Sequence, residues 1–85
     1  MKIVKKCDKK YFDKIVSGEK KFEVRIADFN VQSGDILVLK EVDNGKGTGR
    51  VLEKKIGFFL KTKDLPYFSK EEIDKYGYLV MGLED

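Results

Sequence analysis

Between Asp8 and Gly18 the apolar residues Tyr11, Phe12, Ile15 and Val16 recur at i, i+1, i+4 and i+5, the spacing of one helical face. Asp8 stands at an N-cap position and Gly18 at a helix stop, so the pattern predicts a helix that buries this face and turns Lys9, Lys10 and Lys14 to solvent. Before it, Lys2 to Lys6 alternates weakly and reads as a short strand. After it, the period drops to two. From Lys20 to Ile26 the residues Phe22, Val24 and Ile26 share one face and Lys21, Glu23 and Arg25 the other, which predicts a half-buried strand with its charged face outward.

Gln32 to Asp35 marks a turn, and the apolar run from Ile36 to Val42 reads as a strand buried on both faces. Asn44-Gly45, with Gly47 and Gly49 behind it, predicts a flexible hairpin tip that returns through a strand from Arg50 to about Leu60. Ser69 and Glu72 have the spacing of a capping box, with Phe68 and Ile73 as its hydrophobic staple, so a second helix of one to two turns is expected before Gly77. Tyr78 to Leu83 closes the pattern as a strand. A mainly β fold follows, α+β by content, with five to six short strands. Curling such a sheet into a small barrel removes its edges, and the first helix is expected to plug it, with its face against Val24, Ile36, Val38 and Leu79.

Composition narrows the class. Eighty-five residues make one domain spanning 1–85, able to bury roughly 60% of the surface its unfolded chain exposes. With one cysteine and no histidine, neither a disulfide framework nor a Cys/His zinc site can be built, and histidine-based hydrolytic machinery is excluded. Apolar runs such as Ile36 to Leu39 are far too short to span a membrane, and Met1 to Lys6 lacks the apolar segment of a signal peptide. The expectation is a cytoplasmic, soluble monomer with no cofactor, no metal and no membrane partner. Net charge is only +3, yet residues 1–25 hold nine Lys or Arg against four Asp or Glu. A localised basic patch of this kind attracts polyanions, so RNA or a nucleotide becomes the candidate partner.

The densest polar cluster is Gly18-Glu19-Lys20-Lys21-Phe22-Glu23-Val24-Arg25. Lys20 and Arg25 flanking the Glu23 carboxylate on one strand could bind a phosphate or the polar edge of a base, whereas a plain solvent-facing Glu/Arg pair would be worth at most about 1 kcal/mol. Gly45 to Arg50 lacks the spacing of a phosphate loop, but Arg50 remains a candidate second cation. Of the aromatic residues, only Phe29 and Tyr67 lie in segments that read as exposed loops.

The pattern G-x-K-x-x-E-x-R resembles the ASCH domain of the PUA-like superfamily, and more narrowly the DUF3850 group of small bacterial and phage proteins. The resemblance rests on Tyr11-Phe12, Ser17 to Asp28, Gly34 to Glu41, Thr48-Gly49-Arg50 and Gly77 to Met81, in that order. It implies a PUA-like β-barrel with RNA bound in a cleft along the motif strand, and a site made of Lys20, Glu23 and Arg25 with Asp28 next to them; Lys21 and Arg50 join the candidate nucleic-acid-binding set through this chain's own charges. The chain departs from its relatives by lacking a first-strand histidine and by placing Lys21 and Phe29 where threonine and arginine are common. Other ASCH-like proteins are amidohydrolases of acetylcytidine. That resemblance implies a catalytic set of Lys20, Glu23 and a helix glutamate, Glu71 or Glu72. Glu23 stands where those enzymes place a threonine hydroxyl, which favours binding over catalysis. A protein-interaction module is the remaining alternative.

Overall fold

The structure is a computed structural model that describes residues 1–65, 69–71 and 77–85. Strand β1 (Lys2–Asp8) runs directly into helix α1 (Lys9–Val16), followed by β2 (Phe22–Ile26), β3 (Ile36–Asp43), β4 (Lys46–Lys61), a 3-10 turn (Thr62–Asp64) and β5 (Tyr78–Glu84). The five strands form one sheet in the order β1-β3-β4-β5-β2, with β1 and β3 parallel and the other pairs antiparallel. The sheet curls into a half-barrel, so its two end strands, β1 and β2, face each other across an open seam. The barrel expectation holds at the level of a curled, mainly β sheet of five strands. Within the described residues one α-helix is present; the predicted capping box and second helix depend on Phe68, Glu72 and Ile73, which lie outside them. No helix among the described residues is long and apolar enough to cross a membrane.

Helix α1 presents a narrower face than its spacing suggested. Phe12 and Ile15 are buried in the core with Cys7, Val31, Leu37, Leu39, Ile56, Leu79 and Met81, whereas Tyr11 and Val16 are exposed. A single eight-residue helix on a curved sheet can seat only the residues one turn apart, and i+1 neighbours point about 100° away. Asp8 occupies the N-cap position without a side-chain capping bond, and Gly18 leaves the helix at φ +83. The strand-β3 side chains toward the helix are Leu37 and Leu39, not Ile36 and Val38, which lie on the opposite face.

Two irregularities shape β4. Asn44 and Gly45 both have positive φ and form a tight two-residue turn, so Gly47 and Gly49 belong to the strand and not to a loose tip. Opposite Glu41, the register shifts and Thr48, Gly49 and Arg50 bulge, with Gly49 at φ +91. This bulge puts Thr48 and Arg50 onto the same carboxylate. A second shift, between Ile56 and Phe59, leaves Phe58 exposed on the outer face.

Strand β2 reverses the expected orientation. Its partners in β5 decide the matter: Glu23 pairs with Met81 and Arg25 with Leu79, and both β5 residues are fully buried. Directly opposed residues in an antiparallel ladder share a face. Glu23 and Arg25 therefore point into the half-barrel, while Phe22, Val24 and Ile26 lie on the outside, each close to half exposed.

Candidate functional site

Placing a carboxylate inside a small core demands partners, because an ionised group removed from water loses several kcal/mol unless it is paired. Glu23 is 5% exposed and is fully engaged. Its Oε1 accepts from Lys20 Nζ at 2.6 Å, and its Oε2 accepts from Arg25 Nε at 2.9 Å. Lys20 arrives from the turn after α1, where Gly18 redirects the chain, and its ammonium also donates to the Phe22 carbonyl at 2.8 Å. Arg25 reaches across the seam and donates from Nη2 to the Lys6 carbonyl at 2.6 Å. Lys20 and Arg25 keep about a fifth of their side-chain surface in solvent, 17% and 25%. The trio is thus a charged floor reached from outside.

Above this floor lies a cavity of about 450 Å³ lined by Lys6, Cys7, Asp8, Tyr11, Lys20, Glu23, Val24, Arg25 and Val42. A second cavity of about 410 Å³ adjoins it along the seam, lined by Lys5, Val24, Arg25, Ile26, Asp28, Phe29 and Tyr78. The Lys20 ammonium sits 4.9 Å from the Phe22 ring centroid and 5.8 Å from that of Tyr11, and Lys5 lies 4.0 Å over Phe29. Burial, then the Glu23 charge, pushes the Cys7 thiol up from its ordinary 9.0, so this cysteine lines the cleft as a neutral group. Among the described residues no group of three His, Cys, Asp or Glu side chains could hold a metal ion.

The family model for a domain of unknown function, DUF3850, matches residues 4–83. The chain belongs to the DUF3850 family. It is 43% identical over 51 residues to an uncharacterized 12.9 kDa protein of Escherichia phage P2 described as lying in the GpA 3' region. That alignment covers 60% of this chain and 47% of the phage protein, so the match spans about half the length of the curated relative. In three dimensions the DUF3850 chain is similar to the crystal structure of a hypothetical protein, PH0355, with a TM-score of 0.69 over 99% of this chain and 98% of that one. At 21% identity this likeness concerns the fold alone.

Not every sequence-predicted site residue meets in the cleft of this DUF3850 domain. Lys20, Glu23 and Arg25 converge, and Asp28 joins the second cavity with Arg25. Lys21 turns elsewhere: it lines a separate depression with Lys54, Glu84 and Asp85, which Lys20 also borders. Arg50 is held in another cluster. Its Nε and Nη2 donate to the two oxygens of Glu41 at 2.9 and 2.5 Å, Nη2 also donates to Asp13 Oδ1 at 2.5 Å, and the guanidinium lies 4.7 Å from the Phe12 ring. Thr48 donates to the same Glu41 at 2.5 Å. This network clamps α1 onto the β3–β4 hairpin. Glu71 is exposed and does not line either seam cavity, and Glu72 lies outside the described residues. Phe29, expected in an exposed loop, packs partly against the core; Tyr67 lies outside the described residues.

Sequence reasoning missed Cys7, Tyr11 and Lys5 as cleft-lining residues. Tyr11 carried a signal, since it stood at i−1 from the buried Phe12 and could not share its direction. Cys7 and Lys5 carried none, because their place depends on the parallel pairing of β1 with β3.

Proposed function

We propose that this protein binds RNA through the seam cleft, as an ASCH-type member of the PUA-like superfamily, with a base seated over the Lys20–Glu23–Arg25 floor. The observation that carries the reading is the burial of Glu23 between two cations inside a half-barrel. Burying an ion trio in a core this small costs stability that an apolar residue would not, and such local conflicts concentrate at functional sites. The floor offers donors and acceptors together: a carboxylate able to accept from an exocyclic amine, and two cations able to meet a carbonyl oxygen or phosphate. The concentration of lysine in residues 1–25 supplies attraction for the backbone.

Binding is preferred to amidohydrolysis. A lysine acting as base must first give up a proton, whereas Lys20 is arranged as a donor, to Glu23 Oε1 and to the Phe22 carbonyl at 2.6 and 2.8 Å. The position where the amidohydrolases carry a hydroxyl is occupied by Glu23 itself, already accepting from two side chains.

Fluorescence anisotropy with a short labelled RNA, titrated with salt, tests the reading. Lys20→Ala should weaken binding by roughly 1 to 3 kcal/mol, while Lys61→Ala and Lys63→Ala leave it nearly unchanged. Equal losses at all three positions would mean diffuse attraction without a site. Acetate release from acetylcytidine that disappears in Lys20→Ala would replace binding with catalysis.

A further inference from the structure

The two cavities follow one another along the same seam. The first is lined by Lys6, Cys7 and Asp8 of β1 and by Glu23 to Arg25 of β2; the second by Lys5 and by Val24 to Ile26. Because β1 and β2 run in opposite directions, one strand counts down as the other counts up, and the cavities form a continuous groove joined at Val24 and Arg25. Three residues of strand, from Asp8 to Lys5, span about 10 Å at about 3.3 Å per residue.

Each cavity has its own aromatic ring and cation. Tyr11, about half exposed, borders the first, with the Lys20 ammonium 5.8 Å and the Lys10 ammonium 5.7 Å from its centroid. Tyr78, also about half exposed, and Phe29 border the second, with Lys5 over Phe29. Along the groove wall the backbone groups of Phe22, Val24 and Ile26 turn toward β1. The Ala27 N–H donates to the Gly77 carbonyl and the Leu83 N–H to the Lys21 carbonyl, so the odd-numbered residues of this stretch face β5 and the even ones face the seam.

We infer that the groove takes two successive unpaired nucleotides of a single-stranded RNA, one base against Tyr11 and the next against Tyr78, with the phosphates away from the floor; this rests on the RNA reading above. Both floor cations already donate to Glu23, and Arg25 also to the Lys6 carbonyl, which suits the floor to base edges more than to phosphate. Lys6, exposed and lining the first cavity, and Lys10, exposed beside the Tyr11 ring, are left for the backbone. A duplex hides its base faces in the stack and offers the groove nothing to insert, whereas splayed bases stack on aromatic side chains.

The test compares a mixed-sequence RNA octamer, the same sequence locked in a blunt duplex, and a mononucleotide, using the full chain. The octamer should bind at least ten-fold more tightly than either. Tyr11→Leu and Tyr78→Leu should each weaken octamer binding by about five-fold or more with unchanged melting temperature, and Tyr11→Phe should restore it, since stacking needs the ring and not the hydroxyl. Duplex binding as tight as the octamer, or a mononucleotide binding equally well, would overturn the two-nucleotide track while leaving the RNA reading standing. Unaltered octamer affinity in both tyrosine variants would overturn it too. Absence of binding to all three at low salt would instead overturn the RNA reading itself.

Discussion

Arg25 joins the two end strands of the sheet: its Nη2 donates to the Lys6 carbonyl at 2.6 Å while its Nε holds Glu23 on its own strand. One side chain therefore connects β1 to β2 where no backbone ladder does. Arg25→Lys keeps the charge but cannot reach both acceptors in the same fork geometry. The variant should lose about 1 to 3 kcal/mol of stability by urea denaturation. It should also exchange amide protons faster in β1 and β2 than in β3 and β4. Uniform exchange across all strands would show that the bond does not tie the seam.

Glu23→Gln removes the anion from the trio and leaves the side-chain volume. Lys20 and Arg25 then face the cleft as bare cations. The expected result is tighter binding of any polyanion at low salt and a steeper fall of log affinity with log salt, by about 0.7 for each additional phosphate contact in a single strand. Preference among base sequences should fall at the same time. A variant that keeps its sequence preference would remove Glu23 from base recognition.

The Glu41 cluster sets the acid response. Hydrogen bonds from Arg50, then Thr48, hold the Glu41 carboxyl at about 2, against an ordinary 4.5. Asp13 is lowered by Lys9 and then Arg50, and Asp35 by the Gln32 N–H and then the N-terminal ammonium. For each group the unfolded chain binds the proton first, so its stabilisation is complete above the unfolded value and is lost as pH falls through the folded one. The urea midpoint should hold steady from pH 7 to about 5 and drop between about 4.5 and 2. Arg50→Met should lower the plateau and flatten that drop; an equally steep drop in the variant would assign the transition to other carboxyls.

Cys7 offers a probe. The residue is 4% exposed and its thiol is raised by burial, so alkylation at neutral pH should be far slower than for free cysteine. Since Cys7 lines the first cavity, bound RNA should slow the reaction further, and Arg25→Lys should speed it. Equal rates with and without RNA at saturating concentration would place the ligand elsewhere.

The helix, the Asn44-Gly45 turn and every observed strand were legible because each is specified by local periodicity and turn chemistry. Which face of β2 goes inward was not. Alternation groups Phe22 with Val24 and Glu23 with Arg25, but only pairing with Leu79 and Met81, far along the chain, selects the charged group for the interior. Arg50 shows the same limit. Its charge was visible, while its direction depends on the Gly49 bulge and on a carboxylate from another strand. The family motif mixes both kinds of residue. Lys20, Glu23 and Arg25 form the cleft floor, whereas Phe12, Glu41, Thr48 and Arg50 hold the helix to the hairpin.

Pairing of β2 with β5 carries a consequence for the order of events during synthesis. Strands β3 and β4 meet through a two-residue turn and can form as soon as they leave the ribosome, but β2 must wait for Tyr78–Glu84, which follow it only after both strands of that hairpin. Closing so long a loop is slow compared with forming a hairpin. Until β5 arrives, Glu23 has no interior to occupy and stays hydrated beside Lys20 and Arg25. Pulse-labelled hydrogen exchange during refolding should protect β3 and β4 amides before those of β2; simultaneous protection would contradict this. A chain that stops short of β5 thus carries Lys20, Glu23 and Arg25 and the whole Glu41–Arg50 clamp, yet has no seam groove.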